Sequence, residues 1–213
     1  MNGLMLDWSM VRGMGLRRAT LLSAFLWLAA TAPLHAQAGV LMSEREALHE
    51  VFPGAASVAE TEFRPSPTQR STMQAGLNRT LHEAAFPVLL VYDAANCFIG
   101  YALVTDERGK YRPITFLVGI TPDLRVKDTA VMIYRESRGG EVRSRRFLRQ
   151  YRGKTIRDPI RTNRDIINVS GATISVHSMN AGVRKALMVV QTAYRGQPPR
   201  MAATDLKPLS SLQ

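Results

Sequence analysis

The chain has 213 residues, 46% of them hydrophobic and 21% charged, with a formal charge of +11. That is ordinary globular composition, which excludes a low-complexity or disordered chain and leaves room for one core but not two full domains. A single cysteine, Cys97, excludes an internal disulfide and a thiolate metal cluster.

Residues 1–38 read as a cleaved secretory signal. Arg12, Arg17 and Arg18 form a basic start, Ala19 to Pro33 is an uncharged apolar run, and Ala36-Gln37-Ala38 is a small-x-small cleavage pattern. The run is short for a membrane span, and an uncleaved anchor is the alternative. Loss of this segment would remove three arginines and one aspartate and leave a charge of +9. Basic balance often marks nucleic-acid binding. Export argues against that and favours an acidic redox partner, an anionic membrane surface or a solvated basic face.

Residues 39–85 read as a helical and polar segment. Ser43 and Glu46 form a capping box for a helix ending at Pro53-Gly54. The polar stretch from Glu60 to Asn78 follows, helical in its second half. Phe86 to Tyr92 and Phe98 to Thr105 are strands of a hairpin, with Gly100 marking a bulge or a close backbone approach. Cys97, at the start of the second strand, is read as a buried thiol. Ile114 to Ile120 and Val126 to Tyr134 are further strands; in the latter, alternation groups Val126, Ala130 and Met132 on one face and Val131 and Ile133 on the other.

A polar loop from Glu136 to Glu141 and a short helix from Ser144 to Tyr151 come next. Arg143, Arg145, Arg146, Arg149 and Arg152 offer either a docking face for an acidic partner or a solvated face. Val176, Met179, Val183, Leu187 and Val190 recur at helical spacing up to Tyr194. Residues 196–213 read as a disordered tail. Strands joined by short turns, with helices at both ends, predict one α+β domain built on a mainly antiparallel, twisted sheet with flanking helices.

Ser170-Gly171-Ala172-Thr173 precedes the last helix. Small residues admit a bulky ligand to the backbone, and free N–H groups at a helix start favour a phosphate. A plain N-cap at Thr173 or Ser175 explains the same residues. His177, one turn later, either faces that phosphate or lies on the surface.

This tetrapeptide resembles the flavinylation motif of the FMN-binding domain family. That family includes FMN-bearing subunits of ion-pumping NADH:quinone and ferredoxin:NAD oxidoreductases. Three further segments resemble the family in order: Gly109-Lys110-Tyr111-Arg112-Pro113-Ile114, Glu136-Ser137-Arg138-Gly139-Gly140, and Phe147 to Lys154. They mark 86–195 as the domain core. The resemblance implies FMN joined to Thr173 by a phosphoester, attached by a flavin transferase. Contacts would come from Ser170, Gly171, Ala172, Ser175, Glu136, Gly139, Gly140, Gly109 and Tyr111. No catalytic residue and no metal ligand is implied. Departures are Ile167, where many relatives carry an acidic residue, with Asp165 two residues upstream, and Ser137-Arg138 in place of Thr-Pro.

The expected function is an exported electron carrier working between a membrane reductase and a cytochrome, quinone or other acceptor, rather than a stand-alone enzyme. An FMN-dependent reductase of a small periplasmic substrate and a flavin-free sensory or interaction domain are the alternatives.

Overall fold

The computed structural model describes residues 39–195, 197–198 and 201–212. The predicted signal segment lies outside them. Among the described residues no helix is long and apolar enough to cross a membrane.

Two short helices start on complete capping boxes. In α1 (Glu44–Val51), the Ser43 N–H donates to Glu46 Oε2 at 2.7 Å and the Glu46 N–H returns to Ser43 Oγ at 3.3 Å. In α2 (Pro67–Leu77), Ser66 and Gln69 exchange the same pair of bonds at 2.9 and 3.2 Å, and proline occupies the first helical position.

Between these helices runs a strand that the sequence reading missed, β1 (Ala55–Phe63). Then follow β2 (Phe86–Asp93), β3 (Phe98–Arg108), β4 (Pro113–Ile120) and β5 (Val126–Tyr134). A four-residue helix α3 (Arg145–Leu148) continues into a 3-10 turn, and α4 (Thr173–Tyr194) is the long helix of 22 residues. The last strand, β6 (Lys207–Pro208), pairs with Ser57 and Val58 of β1. The sheet order is β5-β4-β3-β2-β1-β6, antiparallel throughout, so the predicted α+β class holds.

β6 corrects the reading of 196–213 as a disordered tail. Leu209, next to the paired residues, is buried in the core under α1, and that burial fixes the segment to the sheet. The opposite edge is also covered. Val40 bridges to Ile133, the Leu41 N–H donates to the Met132 carbonyl at 2.8 Å, and the Tyr134 N–H donates to the Gly39 carbonyl at 2.7 Å.

Both faces of the sheet are packed. Leu48 and Val51 of α1 and Phe52 at its C-terminal cap lie on Leu89, Val91, Leu117 and Met132. Val176, Met179, Val183, Leu187 and Val190 of α4, with Met73 of α2, lie on Leu90, Tyr101, Phe116 and Val118. Two bulges in the β4–β5 pairing redistribute the side chains of β5. Val126 and Val131 therefore face α4, whereas Ala130, Met132 and Ile133 face α1, against the simple alternation. Gly100 does sit at a bulge, at φ +153°, where an added Cβ would lie 2.5 Å from the Ile120 carbonyl oxygen. Cys97 is exposed in the β2–β3 turn, not buried. Asp93 Oδ1 gathers the Ala95 and Cys97 N–H groups there and turns the chain before the apolar strand begins.

A buried ionic chain pins α4 to the sheet. Lys185 Nζ is 2.8 Å from Glu83 and 2.9 Å from Glu107, and Arg79 donates to Glu107 at 2.8 Å. Two cations meet two carboxylates, so the cluster is balanced. Removing one member would strand a charge at a cost of about 3–5 kcal/mol.

Candidate functional site

The start of α4 has no side-chain cap. The chain turns at 169–172, with the Ala172 N–H donating to the Val169 carbonyl at 3.0 Å and Gly171 in the left-handed region at φ +77°. The first helical bond runs from the Val176 N–H to the Ala172 carbonyl at 2.9 Å. The amides of 173–175 therefore have no acceptor within the helix. They stand at the positive end of a long helix dipole.

Ala172 is the N-cap, so the plain capping reading of Thr173 or Ser175 fails. Thr173 is exposed, and its Oγ1 accepts one hydrogen bond, from Asn168 Nδ2 at 3.1 Å. The other side of that amide accepts the Val169 N–H at 3.0 Å, which fixes its orientation. The hydroxyl proton of Thr173 is left free to be given up. Asn168 was not singled out in the sequence; its position two residues before the motif was the available signal. The Ser175 side chain turns inward, 3.3 Å from the Tyr134 hydroxyl, and Ser175 offers a ligand its backbone N–H instead.

Two loops meet this helix start. Glu136 Oε1 accepts the Tyr111 and Arg112 N–H groups at 2.7 and 3.0 Å, tying the β3–β4 turn to the loop after β5. Burial works against ionisation of Glu136, but those amides, the Lys110 amide and the Lys110 charge together hold its pKa below the usual range. Gly109 packs over the same carboxylate: a Cβ there would lie 2.5 Å from Glu136 Oε1. Gly139, at φ +79°, presses against the motif itself, where a Cβ would meet the Ala172 Cβ at 2.6 Å and the Tyr134 hydroxyl at 3.0 Å.

Tyr134 is a second residue that the sequence reading missed. Its hydroxyl donates to the Arg138 carbonyl at 2.6 Å and so braces the loop from beneath, and burial raises its pKa. The result is an open basin of about 480 Å³, bounded by Glu136, Gly139, Gly140, Arg143, Ser170 and Gly171. Tyr111 and Ile174 are 71% and 49% exposed. Tyr111 lies on the turn that Glu136 binds, and Ile174 follows Thr173 at the start of α4.

Residues 109–188 match the family model described as the FMN-binding domain. That segment is similar to the FMN-binding domain family. The matched segment contains both loops, the motif and most of α4. No curated protein matches the chain in sequence. Among solved structures the chain is similar to NqrC of Shewanella oneidensis, with 13% identity over 68% of this chain and 84% of that one and a TM-score of 0.44.

Ile167, at the position where the resemblance leads one to expect an acidic residue, is 76% exposed. Asp165 does not stand free to replace it. Its carboxylate accepts Lys154 Nζ at 2.9 Å and the Ile160 and Arg161 N–H groups at 3.0 and 2.8 Å. Burial tends to raise its pKa, but these donors outweigh it and hold the group ionised. The predicted arginine face is partly used within the fold. Arg145 pairs with Glu50 and Asp128, and Arg152 with Asp128, which clips α3 to β5. Arg143 turns to the basin instead. His177 is exposed and lines a different cleft.

Proposed function

We propose that this protein is an exported electron carrier whose FMN is joined through its phosphate to Thr173 Oγ1. The observation that carries the reading is the exposed Thr173 hydroxyl on the first residue of an α4 start that no side chain caps, inside the family-matched segment. A phosphodiester at Oγ1 would lie beside the unpaired amides of 173–175, which suits an anion there. Gly139 and Gly140 keep the facing loop low, Arg143 adds positive charge, and Tyr111 and Ile174 supply apolar contact for a ring system. Unpaired amides, a cation and exposed apolar surface suit the phosphate and the ring system of FMN.

Among the described residues no base hydrogen-bonds Thr173 Oγ1, whose one partner is the Asn168 amide, so its hydroxyl needs outside activation. The flavin transferase would supply it. Thr173 Oγ1 would form a P–O bond to the FMN phosphorus of FAD as the pyrophosphate bond breaks and AMP leaves, and would give its proton to the transferase. Asn168 holds Oγ1 in place for that encounter. Once attached, the flavin supplies the redox chemistry, while the protein's part is to hold it, keep one edge open and set its surroundings. A tether is useful outside the cytoplasm, where lost FMN is not readily replaced. The basic surface suits an acidic or membrane-bound redox partner, such as a membrane reductase on one side and a cytochrome or quinone on the other.

Co-expression of the full chain with a flavin transferase, followed by a denaturing gel, tests this. Flavin fluorescence is expected to survive denaturation and to vanish in Thr173→Val. A wild-type band without flavin would overturn the proposal. Intact mass of the exported protein reads the N-terminus and the flavin together.

A further inference from the structure

A second cleft, of about 400 Å³, opens along α4 away from the basin. Arg79, Arg161, His177 and Arg184 line it. They come from three elements: the end of α2, the segment 159–162, and α4. At 1.5 Å per residue, His177 is roughly 6 Å and Arg184 roughly 16 Å along the helix from Thr173.

Among the described residues the charge in this cleft is only partly balanced. Arg79 is answered by Glu107. Asp165, the carboxylate behind the 159–162 segment, is taken up by Lys154 and two backbone amides. Arg184 donates only to carbonyls, to Pro159 at 2.9 Å and to Gly76 at 3.0 Å, which hold the guanidinium without cancelling its charge. Arg161 makes no ion pair among the described residues. Burial and the neighbouring Arg161 charge push the Arg184 pKa down, and the Asp165 carboxylate offsets only part of that.

The backbone is an independent sign. Ile160 is buried at φ +44°, a conformation that a β-branched side chain strongly disfavours. The Ile160 N–H bond to Asp165 holds it there. Strain of this kind persists where the surrounding structure fixes it, and it clusters at binding sites. Here it carries Arg161 to the mouth of the cleft.

We propose that the cleft binds a multiply charged oxyanion, a small ligand bearing phosphate or carboxylate groups, at a site separate from the flavin basin. Two guanidinium groups from different elements converge with His177 and leave a positive hole that a single multivalent anion would fill. Fork-shaped guanidinium donors suit the oxygens of either group. The site does not depend on flavin attachment, so its test and the flavin test fail separately.

The test is calorimetric titration of the full chain, isolated with and without flavin, using pyrophosphate in one arm and citrate in the other at low salt. Saturable binding of at least one is expected in both forms; the tighter arm identifies the oxygen source. In Arg161→Gln, binding should weaken about tenfold, equivalent to about 1.4 kcal/mol. Arg161→Lys should retain most of it, and Arg64→Gln, an exposed arginine paired with Glu62 outside the cleft lining, should change nothing. The His177 ring resonances should move on saturation. Arg184 is left intact because it braces the end of α2 against the 159–162 segment. Absence of binding in both arms, equal binding in Arg161→Gln, or loss of binding once flavin is attached would each overturn the proposal.

Discussion

The helices α1 and α2 each begin on a serine that exchanges two hydrogen bonds with a residue three positions on. The much longer α4 begins on Ala172, which can cap nothing. A bare helix start generally costs stability, about 1 kcal/mol relative to a good cap. In α4 the start is held by packing instead. Gly139 abuts Ala172, and the Ser178 hydroxyl reaches the carbonyls of Arg108 and Ile174. Helices that serve only the fold satisfy their own N–H groups. The helix at the site leaves them open and is anchored by contacts from its sides.

Breaking that anchorage should have the largest effect. Gly139→Val demands a left-handed β-branched residue and drives its Cβ into Ala172. Together these should cost about 3 kcal/mol. Gly171 is the control: it also has positive φ, +77°, but no atom lies within 4 Å of an added Cβ. Gly171→Ala should therefore cost only about 1 kcal/mol of backbone strain. Urea midpoints of the two variants measure the gap. Equal losses would mean that the loop does not hold the helix start.

Next in size is the cap itself. Ser43→Ala removes one half of a complete box and should cost about 1 kcal/mol, while flavin content stays at the wild-type level. Thr173→Val should do the reverse. The exposed hydroxyl has one partner, so stability should change by less than about 0.5 kcal/mol while flavin is lost. Denaturation curves read beside gel fluorescence give both quantities from one preparation. If both variants moved the two readouts together, the division between capped and open helix starts would fail.

Much of this division was legible in the sequence, because it rests on local chemistry. The Ser43–Glu46 box, the four strands from Phe86 to Tyr134 and the stripe from Val176 to Val190 are near-neighbour patterns, and the structure keeps them. β1 was not legible. It opens on small residues and continues through Glu60, Thr61 and Glu62, and what makes it a strand is pairing with the strongly apolar β2. β6 has two residues and exists only through β1 and the burial of Leu209. The face assignment in β5 failed because bulges lie in the pairing, not in the periodicity.

At the site, the place of Thr173 before a long helix could be read directly. The roles of Asn168 and Tyr134 could not. Each depends on a residue brought near by the turn at 169–172 or by the packing of α4 on β5.

The smallest expected effect concerns Glu136, which joins the β3–β4 turn to the loop facing Thr173. Its folded pKa is depressed by the amides of Arg112, Tyr111 and Lys110, which outweigh the opposing effect of burial. A depressed carboxylate contributes stability above its unfolded pKa, about 4.3, and loses it as pH falls through the lower folded value. The carboxylate is partly exposed, so solvent screening limits the contribution to about 0.5 kcal/mol. Wild type should therefore exceed Glu136→Gln in unfolding free energy at pH 6, and the gap should close towards pH 3. Other carboxylates titrate in the same window, Asp165 among them, but they are common to both proteins and cancel in the difference. A gap that widened on acidification would mean that the loop is bound through some other group. The β3–β4 turn would then be independent of the helix start that it helps to enclose.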